Sequence, residues 1–171
     1  MLSLGSNLGD RLAHLRAAVA ALEPVLVSVS GVYETPPWGD PDQPSYLNAA
    51  VVVRDDAATA RDWLDRAQGI ESAEGRVRDP RRQFGPRTLD VDVIAVFDPA
   101  GRPVRSDDPE LTLPHPRAHL RAFVLRPWSD LDPAAELPGH GSLADLLRDG
   151  PAAGDVAAVR ARPDLRLQSA G

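Results

Sequence analysis

The sequence predicts one domain of mixed helix and strand, and three observations support this. Its 171 residues and hydrophobic fraction of 43% are ordinary for one globular domain with a sizeable core. Runs with the period of two of a strand alternate with runs that have the repeat of an amphipathic helix. No internal repeat or second domain is visible. We therefore expect a domain over residues 1–150 and a weakly ordered tail over 151–171.

Composition excludes several classes of function. There are no cysteines, so disulfides, zinc thiolate sites and thiol nucleophiles are absent. All 19 basic residues are arginine, so the lysine-containing phosphate loop GxxxxGK[ST] is absent too. The net charge of −6 argues against a nucleic-acid partner, which normally meets a basic face. Because no stretch approaches the apolar length of a membrane span, we expect no membrane partner and a cytoplasmic location.

The first predicted elements are a strand, a capped helix and a second strand. The strand covers Met1–Ser6, and its short length suggests that some of its first residues are missing. Asp10 then caps a helix over Arg11–Leu22, whose apolar side chains share one face. The turn Gly5–Gly9 allows a phosphate loop at a helix N-terminus, although a simple strand-to-helix turn explains it equally well and is preferred. The second strand is predicted over Val25–Glu34.

The next two segments indicate a pocket for a flat ring. Thr35–Pro44 contains four prolines and is therefore a stiff loop, in which Trp38 forms either a wall of a small-molecule site or part of an exposed connector. In the following strand, Ser45–Arg54, Tyr46 and Asn48 share a face because side chains alternate. A ring beside an amide offers stacking together with a donor and an acceptor. This suits a heterocycle, although either residue alone is more often structural.

The most informative stretch is Gly75–Ile94, which follows a predicted helix over Ala57–Glu74. Asp90 and Asp92 project to one side of a strand-like segment, and its apolar residues project to the other. Two carboxylates on one face repel each other unless a cation lies between them, and oxygen ligands suit Mg²⁺ together with substrate phosphates. The alternative is a half-exposed strand beside a salt-bridged surface loop. The nearby guanidinium groups argue against this alternative, because they are suited to binding phosphate. They belong to Arg76, Arg78, Arg81, Arg82 and Arg87.

A histidine and two arginines further along the chain extend this group. His115 lies between two prolines, so its backbone is held, and Arg117 and Arg121 follow it at helical spacing. A single histidine is more often structural, but one held near arginines could donate a hydrogen bond to phosphate. Beyond these residues, a short helix is predicted over Ser142–Arg148 and a short strand within 160–167.

With these residues the sequence resembles a known family, the 6-hydroxymethyl-7,8-dihydropterin pyrophosphokinases of folate biosynthesis. The matching motifs occur in order and cover nearly the whole chain to about Pro127. GPRTLDxD followed by LPHPR is highly specific. The motifs are LGSNLGDR at Leu4–Arg11, YETPP at Tyr33–Pro37, DQPSYLNAAV at Asp42–Val51, GRVR at Gly75–Arg78, GPRTLDVDVI at Gly85–Ile94, and LTLPHPR with R-x-FVL at Leu111–Leu125.

The resemblance implies both a fold and a reaction. The implied fold is a ferredoxin-like α+β domain, with an antiparallel sheet flanked by helices. The implied reaction transfers pyrophosphate from ATP to the hydroxymethyl oxygen of 6-hydroxymethyl-7,8-dihydropterin and gives AMP and the pterin diphosphate. ATP would be the co-substrate, and two Mg²⁺ ions would bridge its triphosphate. A monomer is expected by default.

The resemblance also implies roles for residues, position by position. The two Mg²⁺ ions would be held by Asp90 and Asp92, and the phosphate-binding, catalytic arginines would be Arg76 and Arg87. Tyr46 would stack on one face of the pterin. The full set of implied pterin contacts is Thr35, Pro37, Tyr46, Asn48 and Phe123, with Phe123 on the other face. The implied ATP contacts are Gln68, Arg78, Thr112, His115 and Arg121.

One segment departs from the family pattern. Residues Arg76–Phe84 resemble the mobile lid of the family, but the segment is longer than in many members. It carries Gln83 where an arginine often precedes the aromatic residue. Either Arg81 or Arg82 takes that place, and the sequence does not decide between them.

Two other functions are compatible with part of the pattern. A cyclase or nucleotidyltransferase could use the same aspartates with two metals, but it would attack the α-phosphorus and release pyrophosphate. It leaves the aromatic residues and the amide of the ring pocket unexplained. A non-catalytic nucleotide-binding module would bind ATP without turnover. The pyrophosphokinase explains more of the separate motifs together than either alternative does.

Overall fold

The structure, a computed structural model, describes residues 1–77, 81 and 85–168. No helix among these residues is long and apolar enough to cross a membrane. Short 3-10 helices occur at Glu23–Val25, Ala118–Leu120 and Ala153–Ala158. The other elements, in chain order, are β1 (Leu2–Ser6), α1 (Arg11–Leu22), β2 (Leu26–Val29), β3 (Tyr33–Thr35), β4 (Tyr46–Val53), α2 (Ala60–Ala73), β5 (Asp90–Val93), β6 (Ser106–Asp108), β7 (Leu111–Leu113), α3 (Ala122–Leu131), β8 (Glu136–Leu137), β9 (Gly141–Ser142), α4 (Leu143–Arg148) and β10 (Arg160–Ala161).

The main sheet is antiparallel and carries helices on both faces. In the described part of the chain its strand order is β10-β3-β4-β1-β5, and β2 also pairs with β4. β1 is central to the site, because it pairs with β4 on one side and with β5 on the other. The predicted α+β class, with an antiparallel sheet flanked by helices in a single domain, is confirmed.

The two faces of the sheet differ in chemistry. Leu4, Val51 and Val91 pack with α1 and α2 in one buried apolar cluster. The opposite face carries a second apolar cluster, formed with α3 and α4, which includes Ala50. Because side chains alternate along a strand, this second face also receives the polar residues of β4 and β5. It is therefore buried at one end by helices and polar at the other, where the site lies.

The strand predicted over Val25–Glu34 is two strands, so that prediction was wrong. β2 and β3 both pair with β4, and the chain bends between them at Ser30. The buried hydroxyl of Ser30 accepts a hydrogen bond from the Ala50 amide at 2.8 Å and donates one to the Gly31 carbonyl at 2.8 Å. The alternation of Val25, Val27 and Val29 stops at Ser30-Gly31, a dipeptide typical of turns, and this is the sequence signal for the interruption.

Part of the segment predicted to be a weakly ordered tail lies against the sheet. After the 3-10 helix at Ala153–Ala158, β10 pairs with β3. The amide of Arg162 then donates to the Val32 carbonyl at 2.8 Å, and the Arg162 guanidinium pairs with Glu34 at 2.6 Å. Leu167 is buried in the apolar cluster of α1 and α2. The short strand predicted within 160–167 is thus present, and these contacts attach the segment to the edge strand.

We expect Ser30→Ala to lower the free energy of unfolding by about 1–3 kcal/mol, because the buried amide of Ala50 loses its acceptor. Ser28→Ala is the matched control, since Ser28 lies on β2 and its hydroxyl forms no hydrogen bond with any residue that the structure describes. Urea unfolding of both variants measures the difference. Equal stabilities would mean that the Ser30 hydroxyl does not support the bend.

Candidate active site

The site begins with the register of three strands. Gly5 of β1 lies opposite Asn48 of β4 and opposite Asp90 of β5, and Ser3 lies opposite Asp92. A Cβ at residue 5 would come within 3.2 Å of the Asn48 side-chain oxygen, so a glycine leaves room there. The small residues of β1 thus keep open a depression between the amide of β4 and the carboxylates of β5.

Asp90 and Asp92 are held by arginines from three different parts of the chain. Arg76, just after α2, pairs with Asp90. Arg87, just before β5, approaches the other oxygen of Asp90 at 3.2 Å. Arg121, just before α3, approaches Asp92 at 3.5 Å. The two carboxylates predicted from the strand pattern therefore share one face and lie among the predicted arginines.

The two carboxylates differ in pKa because their surroundings differ. Burial would raise the pKa of Asp90, but Arg87 and Arg76 outweigh burial and hold this pKa below its ordinary value. Burial and the neighbouring charge of Asp90 raise the pKa of Asp92 to about 7, against the opposing charge of Arg121. Asp90 is thus a carboxylate whose charge is compensated, whereas Asp92 lacks a full counter-charge.

An aromatic pocket of about 520 Å³, including its open part, lies on one side of the carboxylates. Inside it, the Asn48 amide donates to the Thr35 hydroxyl at 2.7 Å, which fixes the amide. Pro37 was predicted to contact the pterin, but the neighbouring Pro36 lines the pocket. The lining residues are Ser3, Gly5, Thr35, Pro36, Trp38, Tyr46, Asn48, Arg87, Asp90, Asp92, Arg121 and Phe123.

A polar cleft of about 1200 Å³, largely open, lies on the other side. Four residues line both cavities: Arg87, Asp90, Asp92 and Arg121. The polar cleft also contains the described residues predicted to bind ATP, namely Gln68, Thr112 and His115, together with Glu71, Arg76 and Arg117. A ligand in each cavity would therefore meet the other at the two carboxylates.

His115 presents a neutral N–H to the polar cleft. Its backbone amide donates to the Ile94 carbonyl at 2.8 Å, which holds the residue beside β5. Burial, together with the charge of Arg121, lowers the pKa of His115 to about 4, so the ring is neutral near pH 7. Its Nδ1 accepts from the Arg117 amide at 3.1 Å, which assigns the proton to Nε2. This Nε2 lies 4.0 Å from Asp92.

The sequence pattern did not identify two residues of the site, because their contacts are with residues far away along the chain. The side-chain oxygen of Asn7 accepts from the Arg87 amide at 2.8 Å, and the Asn7 amide nitrogen donates to Gln43 at 3.0 Å. Asn7 thereby joins the loop after β1 to the segment before β5 and to the proline-rich loop. The turn GSN was visible in the sequence, but its partners are 80 and 36 residues away.

The second missed residue is Glu71, in the last turn of α2. It is 4% exposed, pairs with Arg76, and accepts from the Val91 backbone amide at 2.9 Å. One carboxylate therefore links α2, β5 and the arginine that also holds Asp90. Its position in the predicted helix, facing the arginine-rich segment, was the only sequence signal for this contact.

The oxygen donors fit a magnesium site. No group of three or more His, Cys, Asp or Glu suited to a metal occurs in the described residues, so a cage made wholly by protein is absent there. Mg²⁺ commonly takes one or two carboxylates and completes its shell with water and phosphate. Asp90 and Asp92 supply such a pair beside the polar cleft. Of the other predicted phosphate ligands, Arg78 and Arg82 lie outside the described residues, and Arg81 is exposed.

The fold and site together are those of an enzyme that transfers a phosphate-containing group, where positioning and charge compensation dominate. A model of the family "7,8-dihydro-6-hydroxymethylpterin-pyrophosphokinase (HPPK)" matches residues 1–133. This chain belongs to that family, and it is therefore a diphosphotransferase.

Curated relatives in three bacteria agree with the family match, and each is named 2-amino-4-hydroxy-6-hydroxymethyldihydropteridine pyrophosphokinase. The Mycobacterium tuberculosis protein (strain H37Rv) is 49% identical over 145 residues, covering 82% of this chain and 76% of the relative. The Mycobacterium leprae protein is 51% identical over 146 residues, covering 82% and 75%. The Pseudomonas aeruginosa protein is 40% identical over 149 residues, covering 85% and 87%.

We expect Glu71→Ala to be less stable than Glu71→Gln by about 1–3 kcal/mol. Both variants lose the charge that faces Arg76, but only glutamine keeps an oxygen for the buried amide of Val91. Their difference in urea unfolding therefore measures the loss of this oxygen, which Arg76 also contacts, together with the packing of the side chain. Indistinguishable stabilities would show that the contact with β5 does not contribute.

Proposed function

We propose that this chain transfers the pyrophosphoryl group of ATP to the hydroxymethyl oxygen of 6-hydroxymethyl-7,8-dihydropterin, giving AMP and the pterin diphosphate for folate biosynthesis. Membership of the pyrophosphokinase family supports this reaction. The observation that carries it is the wall shared by the two cavities, formed by Arg87, Asp90, Asp92 and Arg121. A hydroxymethyl group in the aromatic pocket and a phosphate chain in the polar cleft would meet at this wall.

In this proposal the aromatic pocket binds the pterin. Tyr46 and Phe123 stack on the ring, as flat heterocycles and aromatic side chains do. Asn48 forms hydrogen bonds with the polar edge of the ring, and its hydrogen bond to Thr35 orients the amide for these contacts. Thr35 itself and the Pro36–Pro37 backbone complete the edge contacts. The stiffness of the proline-rich loop reduces the conformational entropy lost on binding.

The polar cleft binds ATP. Gln68 and Thr112 lie along it, and the neutral His115 offers its Nε2–H to a phosphate oxygen. Arg121 lies where the cleft meets the aromatic pocket and supplies a positive charge to the phosphate chain. Arg78 is assigned to ATP by its place in the motif GRVR, and it lies outside the described residues. The proposed lid over Arg76–Phe84 falls largely on the same undescribed segment.

Asp90 and Asp92 hold two Mg²⁺ ions in this proposal. Bound Mg²⁺ supplies charge neutralisation on the phosphates, which lets an oxygen nucleophile approach the β-phosphorus. The protein itself contributes two arginines that can change partner from Asp90 to phosphate. Arg76 and Arg87 compensate Asp90 in the present structure, and their guanidinium groups would become available to phosphate oxygens if Asp90 held a cation instead. They then stabilise the negative charge that develops during transfer.

Three further properties belong to this proposal. We propose that the protein acts as a monomer, in the cytoplasm and without a nucleic-acid partner. The net charge of −6 supports the last of these, since nucleic acid favours basic surfaces.

We expect Asp92→Asn to lower turnover by at least about 100-fold, the usual scale for losing a stabiliser of transition-state charge. We expect the same change to stabilise the metal-free protein by about 1 kcal/mol at pH 8, a figure reduced for the 31% exposure of the side chain. The folded-state pKa of Asp92 is raised, so its ionisation opposes folding and this cost grows as the pH rises from about 4 to 7.

Turnover at saturating substrates and thermal unfolding across this pH range measure the two effects. Asp107→Asn is the control, because it removes an exposed aspartate charge that lines neither cavity. Wild-type turnover in Asp92→Asn would exclude the proposed metal role. A variant less stable than the wild type at pH 8 would show that Asp92 is compensated in the metal-free protein.

Product analysis tests the reaction itself. We expect phosphorus NMR of the protein with MgATP and 6-hydroxymethyl-7,8-dihydropterin to show AMP and a pterin diphosphate, because attack falls on the β-phosphorus. Removal of Mg²⁺ by chelation should stop the reaction. ADP would instead indicate single-phosphoryl transfer, free pyrophosphate would indicate attack at the α-phosphorus, and the absence of turnover would contradict the proposed activity.

A further inference from the structure

The guanidinium group of Arg121 packs against two aromatic rings. Its guanidinium carbon lies 4.8 Å from the centre of the Trp38 ring and 5.7 Å from that of Phe123. The residue is 8% exposed, so this cation is largely removed from water. Its charged contact with Asp92 is long, at 3.5 Å, and its Nε is buried without a hydrogen-bond partner among the described residues. Two ring faces therefore stabilise this charge in addition to its long ion pair with Asp92.

A cation over an aromatic face is stabilised most when it is desolvated and the ring is tryptophan. Both conditions hold for Arg121 and Trp38. An arginine side chain also loses substantial rotamer freedom when a ligand fixes it. A ring that holds the guanidinium in advance reduces this cost, while the unused N–H donors remain available to an anion.

The position of Trp38 separates this role from direct ligand contact. Trp38 lies in the proline-rich loop and lines the aromatic pocket. It is not among the residues that line the polar cleft in the described part of the chain. Arg121 lines both cavities. An effect of Trp38 on a ligand in the polar cleft must therefore pass through another residue.

We propose that Trp38 is a positioning residue for nucleotide binding, and that it acts by holding the guanidinium of Arg121 at the wall shared by the two cavities. This rests on the proposed function only in assigning the nucleotide to the polar cleft. A tryptophan whose ring belongs to the pocket of one substrate thereby contributes to the affinity for the other. The stiff loop makes the contact effective, since prolines restrict the motion of the ring relative to Arg121.

The test is the binding of the magnesium complex of α,β-methylene-ATP to the full chain without any pterin, measured by calorimetry. We expect Trp38→Leu to weaken this binding about 3- to 10-fold, the range that a partly desolvated cation–π contact corresponds to. We expect Trp38→Phe to recover part of the loss, because it keeps an aromatic face. Asp42→Asn is the control, since it alters an exposed side chain of the same loop that lines neither cavity, and it should leave nucleotide affinity unchanged.

A double-mutant cycle with Arg121→Ala tests whether Trp38 affects nucleotide affinity through Arg121. In the Arg121→Ala background, Trp38→Leu should have no further effect on nucleotide affinity. An equal effect in both backgrounds would overturn the proposal, because Trp38 would then act without Arg121. Unchanged or tighter nucleotide binding by Trp38→Leu would overturn it as well. A lower midpoint of thermal unfolding is expected for Trp38→Leu, because the folded protein loses this cation–π contact, so Trp38→Phe and the cycle are the deciding comparisons.

The inference and the proposed function fail in different ways. If wild-type protein makes AMP and the pterin diphosphate while Trp38→Leu binds the analogue normally, only the role of Trp38 is excluded. If wild-type protein does not bind the analogue at all, the assignment of the polar cleft to the nucleotide is wrong. The proposed function and the role of Trp38 are then both excluded.

Discussion

The repulsion between two carboxylates on one strand is the constraint on which the rest of the site depends. Asp90 and Asp92 share a face of β5 because side chains alternate. Turning either carboxylate to the other face would move the apolar residues that alternate with them out of the core. A buried pair of like charges must be compensated by cations. Arg76, Arg87 and Arg121 meet this need from three separate segments.

This constraint explains why small residues occupy the centre of the site. Each strand beside β1 brings bulk or charge to the same face, so β1 can contribute only Ser3 and Gly5 there. A side chain at residue 5 would crowd Asn48. The other face of β1 carries Leu2 and Leu4, which are buried with α1 and α2. One short strand therefore supports the core on one side and leaves space for ligands on the other.

Sequence periodicity predicted those parts of the site that follow from a single strand. It placed Asp90 with Asp92 and Tyr46 with Asn48, because a period of two needs no knowledge of partners. It could not predict the contacts of Asn7 with Arg87 or of Glu71 with Val91, which depend on how distant segments pack. It also missed the interruption at Ser30, because the hydrogen bond of the Ser30 hydroxyl with the Ala50 amide depends on a strand 20 residues away.

The arginines around the carboxylates differ in how firmly they are attached, and this difference matters for any cation that displaces them. Arg76 has a second carboxylate partner in Glu71, which is itself fixed to β5 through the Val91 amide. Arg121 has a long contact with Asp92 and packs against two aromatic rings. If Asp90 held a metal, the pair with Glu71 would keep Arg76 beside β5, within reach of phosphate. Loss of Glu71 would leave this arginine without a second carboxylate partner, so the buried glutamate, which also lines the polar cleft, positions Arg76 for its proposed role.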